Sequence, residues 1–243
     1  MNSTSALRHR FETMVNLATI ASGLAVLVVA GLIIRGLVSG RLTVSLNASK
    51  PPSVAAVIDD KTTTVNETTV HHAGARLAIV EFSDFECPFC GKYARDVFPL
   101  VRDQLVESGR VDYVFRNFPL EKIHHNALQA SQRAECAGAQ RKYWEMHDRI
   151  FARQPNILMS SLADEARALE LDVPAFLSCT SAPQIKIERD ISEGKRLGVG
   201  ATPTFFIGTF DSTGTIRLVR RINGAVSFDA FKRVIDEVQK TIS

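Results

Sequence analysis

Hydrophobic residues fall into three regimes along this chain. From Leu17 to Ile34 they run with no charged interruption, rich in Leu, Val, Ile and Ala. Roughly 18 such residues at about 1.5 Å each span about 27 Å as a helix, close to the ~30 Å hydrocarbon core of a bilayer. The run predicts a single N-terminal transmembrane helix within residues 16–40, after a cytoplasmic tail at 1–15. Arg8 and Arg10 precede it and Arg35 and Arg41 follow, so flanking charge alone does not orient it. A cleaved signal peptide is the alternative, but its apolar region is usually shorter, about 7–15 residues, and Val38-Ser39-Gly40 makes a poor cleavage site. A buried helix of a soluble fold is the third reading.

Periodicity then disappears from 41 to 76. Pro51-Pro52, scattered Ser and Thr, and Lys61-Thr62-Thr63-Thr64 read as a flexible tether. The tripeptides Asn47-Ala48-Ser49 and Asn66-Glu67-Thr68 fit a glycosylation sequon, a pattern too common to carry weight.

From 77 to 243 the pattern is that of a folded domain. Leu77-Ala78-Ile79-Val80-Glu81-Phe82 is a short apolar run, as expected of a buried strand. After it, Tyr93, Val97, Leu100, Val101 and Leu105 recur at spacings of three and four, which predicts one helical face. Val111–Asn117 reads as a second strand, and roughly Glu121 to Leu197 is helix-like throughout, with Tyr143, Met146, Ile150 and Phe151 on one face. Thr204–Ile207 and Ile216–Ile222 read as a hairpin around Asp211-Ser212-Thr213-Gly214. Phe228, Phe231, Ile235, Val238 and Ile242 mark the buried face of a final helix.

Composition narrows the picture. Apolar residues make up 45% and charged residues 23% of 243, ordinary for a globular protein. A net charge of +3 with no basic tract gives no case for nucleic acid as partner. Four cysteines are too few for a disulfide framework that replaces a core. Their arrangement is the informative part: Cys87 and Cys90 are close together, Cys136 and Cys179 far apart.

Cys87-Pro88-Phe89-Cys90 lies between the first strand and the helix. Pro88 suits the first helical turn, where its missing N–H costs nothing, and this places Cys87 at the helix N-terminus. Unpaired N–H groups and the positive dipole end there favour a thiolate, the nucleophile of disulfide exchange. Cys90, one turn further in, is placed to resolve a mixed disulfide. Half of a zinc site is the competing reading, but no ligands stand at compatible spacing, and no metal is expected. An inert structural disulfide is the other.

Glu81-Phe82-Ser83-Asp84-Phe85-Glu86-Cys87-Pro88-Phe89-Cys90 resembles the active-site segment of the DsbA-like branch of the thioredoxin superfamily. Gly198-Val199-Gly200-Ala201-Thr202-Pro203-Thr204-Phe205-Phe206 resembles the loop that carries that family's cis-proline. Phe115-Arg116-Asn117-Phe118-Pro119-Leu120 and Tyr143-Trp144-Glu145-Met146-His147-Asp148 are similar to family segments between them. The resemblance covers roughly Ala78 to Ile242. It implies an α/β thioredoxin-like fold with a helical insertion at about 121–197, and thiol–disulfide oxidoreductase activity that needs no cofactor. It also implies that Pro203 is cis beside the cysteine pair, with Thr202 free to bind an extended substrate backbone. Pro88 and Phe89 would flank the same substrate.

Glu81 sits in an apolar strand, where a carboxylate is expensive to bury. The family carries an acidic residue there, which implies a proton acceptor for Cys90; an edge residue reaching water is the alternative. Cys136 and Cys179 fall in the insertion, and in an oxidising compartment they are expected to form a structural disulfide; two buried free thiols are the alternative. His124-His125 begin a helix on this reading, His71-His72 lie in the tether, and neither pair receives a role.

The fold does not fix the direction of electron flow. The leading expectation is an extracytoplasmic dithiol oxidase, acting on exported proteins and reoxidised by a membrane redox partner. A tethered reductase, for example in cytochrome c maturation, and a redox-inactive binding or chaperone module are the alternatives. Phe89 lacks the side-chain hydrogen bond that the Pro-His dipeptide of the best-known oxidants offers, which weighs against an extreme potential.

Overall fold

The computed structural model describes residues 53–66, 68–158, 160–179 and 181–242. The expected tail at 1–15 and transmembrane segment at 16–40 lie outside them. Among the described residues, no helix is long and apolar enough to cross a membrane.

The chain runs β1 (Ser53–Thr63), β2 (Leu77–Ser83), α1 (Pro88–Asp96) and α2 (Phe98–Val101), the last continuing as a π-helical turn, Arg102–Val106. β3 (Val111–Asn117) leads into the helices α3 (Ala127–Gly138), α4 (Tyr143–Ala152), α5 (Leu162–Ala168), α6 (Val173–Ser178) and α7 (Ser181–Leu197). The hairpin β4 (Thr204–Phe210) and β5 (Ile216–Asn223) follows, then α8 (Phe228–Ile242). The strands form one sheet in the order β1-β5-β4-β2-β3. Only β2 and β3 are parallel, and the other pairings are antiparallel. This is a thioredoxin-like α/β fold with a helical insertion, α3 to α7, in the place the sequence pattern indicates.

Every residue of β2 and β3 is buried, as suits strands covered on both faces. The strand period of two separates the layers. Leu77 and Ile79 face a core shared with α1, α2 and α8, through Tyr93, Phe98, Val101, Phe231 and Val234. Ala78, Val80 and Phe82 face the opposite layer, with Phe118, Leu197 and Phe206. Gly194 permits the close approach of α7 there, since a Cβ on it would sit 2.5 Å from the Phe118 ring. A third core lies between the insertion and the β2–α1 segment, joining Phe85, Cys87 and Cys90 to Ala134, Met146, Ile150 and Phe151.

Two expectations need correction. The stretch read as a flexible tether carries β1 across its middle, so the sheet begins at Ser53 rather than 77. An edge strand joins the sheet through its backbone, here against β5 with irregular register, so strict alternation of its side chains is not required. Residues after β1 are also held. Asn66 Nδ2 donates to the Phe115 carbonyl over 2.9 Å, and Val70 bridges Tyr113. The helix after Cys90 is not continuous either. Val97 breaks it at φ −120°, ψ −44°, and it restarts at Phe98-Pro99 with Tyr93, Val97, Val101 and Leu105 still in one core. Phe98 takes the core position and Leu100 is left 41% exposed.

Candidate active site

β2 delivers the chain into a tight turn whose polar groups are supplied by Asp84. Its Oδ1 accepts the N–H groups of Glu86 over 2.8 Å and Cys87 over 3.2 Å, an Asx-type turn that starts the helix. Cys87 is the extended N-cap of α1, with Pro88 at the first helical position. The Cys87 Sγ lies 3.4 Å from the Thr202 carbonyl oxygen, and the Thr202–Pro203 peptide bond is cis. Two segments 115 residues apart thus meet at one sulfur.

The two sulfurs differ sharply. The Cys87 pKa is lowered from 9.0 to about 6, chiefly by the Cys90 thiol, against desolvation, with further help from Thr202 and from the N–H groups of Cys90 and Phe89. Cys90 is wholly buried and pushed well above the usual thiol range, first by that burial and then by Cys87. Its sulfur accepts the Asp84 N–H over 3.4 Å. Both cysteines are free thiols here. Outside the pair, Pro88 is exposed and Phe89 is 54% exposed, while Thr202 and Pro203 are buried.

Glu81 does not reach water; it is 2% exposed. Burial raises its pKa from 4.5 to about 7, against the lowering effects of Tyr113 and Ser83.

The thioredoxin family profile matches residues 63–237. The chain belongs to the thioredoxin family.

Among solved structures, this thioredoxin-family domain is similar to Wolbachia pipientis α-DsbA1. The TM-score is 0.58 at 25% identity, over 70% of this chain and 88% of that one. It is similar also to Pseudomonas aeruginosa DsbA2, with a TM-score of 0.57 at 27% identity, over 73% and 97%. The recognised fold is therefore that of DsbA-type thiol–disulfide oxidoreductases. A curated relative is the Na(+)/H(+) antiporter NhaA 1 of Salinispora arenicola, 36% identical over 135 residues, 55% of this chain and 20% of that protein. The chain spans about a fifth of the length of the curated relatives it matches.

Cys136 and Cys179 form a disulfide, with a Cα–Cα distance of 5.8 Å. It ties α3 to the end of α6 within the insertion, and Cys136 belongs to the same buried core as Cys87 and Cys90.

Three residues that the sequence reading passed over hold the thioredoxin-family site in place. Asp84 Oδ2 accepts the Leu120 N–H over 2.7 Å and stands 2.8 Å from His124 Nδ1. His124 thus sits in the turn before α3, which begins at Ala127, and not in a helix. Gln154, past the end of α4, donates through Nε2 to the carbonyls of Phe85 over 2.7 Å and Cys87 over 3.1 Å. The turn around Cys87 is clamped from both sides by the insertion. Asp three residues before the N-cap cysteine carries a local signal; the contacts of His124 and Gln154 are long-range and carry none.

Proposed function

We propose that this thioredoxin-family domain is an extracytoplasmic dithiol oxidase that passes the Cys87–Cys90 disulfide to exported proteins with free thiols. The observation that carries the reading is the asymmetry of the two sulfurs: Cys87 is activated at a helix start, and Cys90 is buried behind it.

A substrate thiolate attacks Cys87 Sγ. The Cys87–Cys90 bond breaks, its electron pair stays on Cys90 Sγ, and Cys90 takes a proton that Glu81 supplies. A second substrate thiolate then attacks the substrate sulfur of the mixed disulfide and expels Cys87 as a thiolate. The substrate leaves oxidised by two electrons and the enzyme is reduced by two. Thr202, before the cis Pro203 and beside Cys87, offers backbone for strand-like pairing with the substrate, and the exposed Pro88 and Phe89 flank it. Reoxidation falls to a membrane redox partner, one linked to quinone. The apolar run at 17–34 and the Cys136–Cys179 disulfide support an oxidising, extracytoplasmic setting.

The size of the thiolate effect bounds the claim. A pKa of about 6 favours the thiolate at pH 7 by roughly one unit, about 1.4 kcal/mol. For a two-electron couple this is ~30 mV, about a fifth of the ~150 mV between thioredoxin and DsbA. Phe89 gives the thiolate its backbone N–H but has no side-chain hydrogen bond to add, and this supports a tethered reductase as the second reading.

Titration of the full chain in glutathione buffers decides between them. A potential near −120 to −180 mV, in the range of about −120 mV for DsbA and −180 mV for protein disulfide isomerase, fits the oxidase. A potential near about −270 mV overturns it in favour of the reductase. Retention of activity in Cys87→Ser would sink both and leave a binding module.

A further inference from the structure

Between Glu81 and Cys90 stands a hydroxyl to which the steps above give no task. Ser83 follows Glu81 by two residues on β2, and residues i and i+2 of a strand share a face. Both side chains leave the strand on the side where α1 brings Cys90 against it. The next peptide fixes that approach, since the Asp84 N–H points at Cys90 Sγ over 3.4 Å. Ser83 is 0% exposed. Its hydroxyl faces the Glu81 carboxyl and the Cys90 thiol alike, yet its oxygen has no hydrogen-bond partner of standard geometry among the described residues.

A buried hydroxyl without a fixed partner is destabilising, and native cores rarely keep one. Here it lies between a proton source and the sulfur that needs the proton. A serine hydroxyl is donor and acceptor at once and turns about a single bond. Free of a fixed partner, it can face either neighbour as the charge moves.

We propose that Ser83 is the proton relay between Glu81 and Cys90, a role that rests on the reading of Cys87–Cys90 as a centre of thiol–disulfide exchange. When a substrate thiolate attacks Cys87 Sγ, a new S–S bond forms and the Cys87–Cys90 bond breaks. The electron pair of the broken bond stays on Cys90 Sγ. Ser83 gives its hydroxyl proton to that sulfur and takes the Glu81 proton in the same movement. The products are a Cys90 thiol, an unchanged Ser83 hydroxyl, a Glu81 carboxylate and the mixed disulfide on Cys87. When Cys90 attacks Cys87 to expel a substrate thiolate, the same proton runs back to Glu81. The relay spares the interior a bare thiolate at Cys90, where burial penalises charge.

Glu81, at about 7, is poised to give or take a proton near neutrality. The titratable groups that face it are Tyr113 from β3, Tyr93 and Cys90 from α1, and Tyr143 from α4. Burial pushes the three tyrosines and Cys90 well above their usual ranges. Among these groups, Glu81 is the one whose charge changes around pH 7.

The test uses the full chain as wild type, Ser83→Ala and Ser83→Thr. The rate at which the oxidised protein forms a mixed disulfide with a cysteine peptide is followed from about pH 5 to pH 9. Thiolate absorbance of Cys87 and thermal unfolding are followed alongside. Ser83→Ala should slow exchange at least about tenfold and flatten its pH dependence around 7, while the Cys87 titration stays in place. Ser83→Thr keeps the hydroxyl and should recover most of the rate. Wild-type rate and profile in Ser83→Ala overturn the relay, and so does a loss in Ser83→Thr as large as in Ser83→Ala while both remain folded. The wild type gives an independent reading in deuterated buffer, because two protons in flight make the rate curve with deuterium fraction, and a straight line overturns the relay. A wild type that exchanges no disulfide at all removes the oxidoreductase reading itself, a different failure from an unaltered Ser83→Ala.

Discussion

Tyr113 donates a hydrogen bond to Glu81 over 2.6 Å, with both residues buried. The Tyr113 oxygen also stands 3.0 Å from that of Tyr93, so the carboxyl ends a chain of three hydroxyl and carboxyl groups. Burial raises the Glu81 pKa, and the Tyr113 bond offsets part of the rise. Burial also keeps both phenols protonated well beyond their usual range, so they stay hydrogen-bonded partners of the carboxyl rather than rivals for its charge.

A pH dependence of stability follows. The folded protein holds the Glu81 proton more tightly than the unfolded chain, about 7 against 4.5. The stabilising share is therefore complete below pH ~4.5 and is lost as pH rises through about 7. The shift corresponds to about 3 kcal/mol. Glu81→Gln still accepts from Tyr113 but never ionises, so its stability should stay level where the wild type falls. Urea unfolding of the reduced proteins at pH 5 and pH 8 should show the variant gaining about 2–3 kcal/mol on the wild type. Parallel curves would mean that Glu81 titrates as it does in the unfolded chain.

The two active-site thiols should separate cleanly in alkylation. Thiolate, not thiol, reacts, and Cys87 is drawn to about 6 while Cys90 is pushed far up and buried. Iodoacetamide should label Cys87 with a midpoint near pH 6 and leave Cys90 untouched across neutral pH, read by peptide mass. Comparable labelling of Cys90 below pH 8 would contradict the burial that sets the two apart.

Much of this site was legible because its chemistry is local. The Cys-Pro-Phe-Cys run, the apolar strand before it and the helical period after it place Cys87 at a helix N-terminus without any tertiary information. Pro203 was legible only through the family resemblance, since nothing in its own segment says which residues it faces. Asp84 announces its turn locally, but not its contacts with Leu120 and His124. Gln154 carries no sequence signal, because a glutamine after a helix does its work here only through two carbonyls nearly seventy residues earlier. β1 was missed for a related reason. An edge strand joins by backbone pairing, so a mixed run such as Ser53–Thr63 need not show the alternation that marks a half-buried strand.

The Cys136–Cys179 bond closes a loop of 43 residues, and the chain-entropy estimate for that length is about 4 kcal/mol as an upper figure. Replacing both cysteines by alanine should cost about 2–4 kcal/mol of unfolding free energy. The Cys87 alkylation midpoint should not move, since the groups that lower the Cys87 pKa are Cys90, Thr202 and Phe89 and not the disulfide. A shifted midpoint would show that the insertion transmits its state to the active-site turn.

Gly91 and Gln154 should show the strongest coupling in the domain. In a helix interior, glycine is less favourable than alanine by about 0.8–1.0 kcal/mol, so Gly91→Ala ought to stabilise α1. A Cβ at Gly91 would meet Gln154 Oε1 at 1.7 Å and Arg95 Nη1 at 2.8 Å. Both are ends of flexible side chains, so the fold survives by moving them, but a displaced Gln154 abandons the carbonyls of Phe85 and Cys87. Each lost hydrogen bond costs about 0.5–1.5 kcal/mol. The single variant Gly91→Ala should therefore destabilise by about 1 kcal/mol or more. In a Gln154→Ala background those bonds are already gone, and the same substitution should turn neutral or stabilising. A double-mutant cycle by chemical unfolding reads this directly. Additive effects would mean that Gln154 does not clamp the turn, because the helix preference of alanine alone cannot reverse the sign.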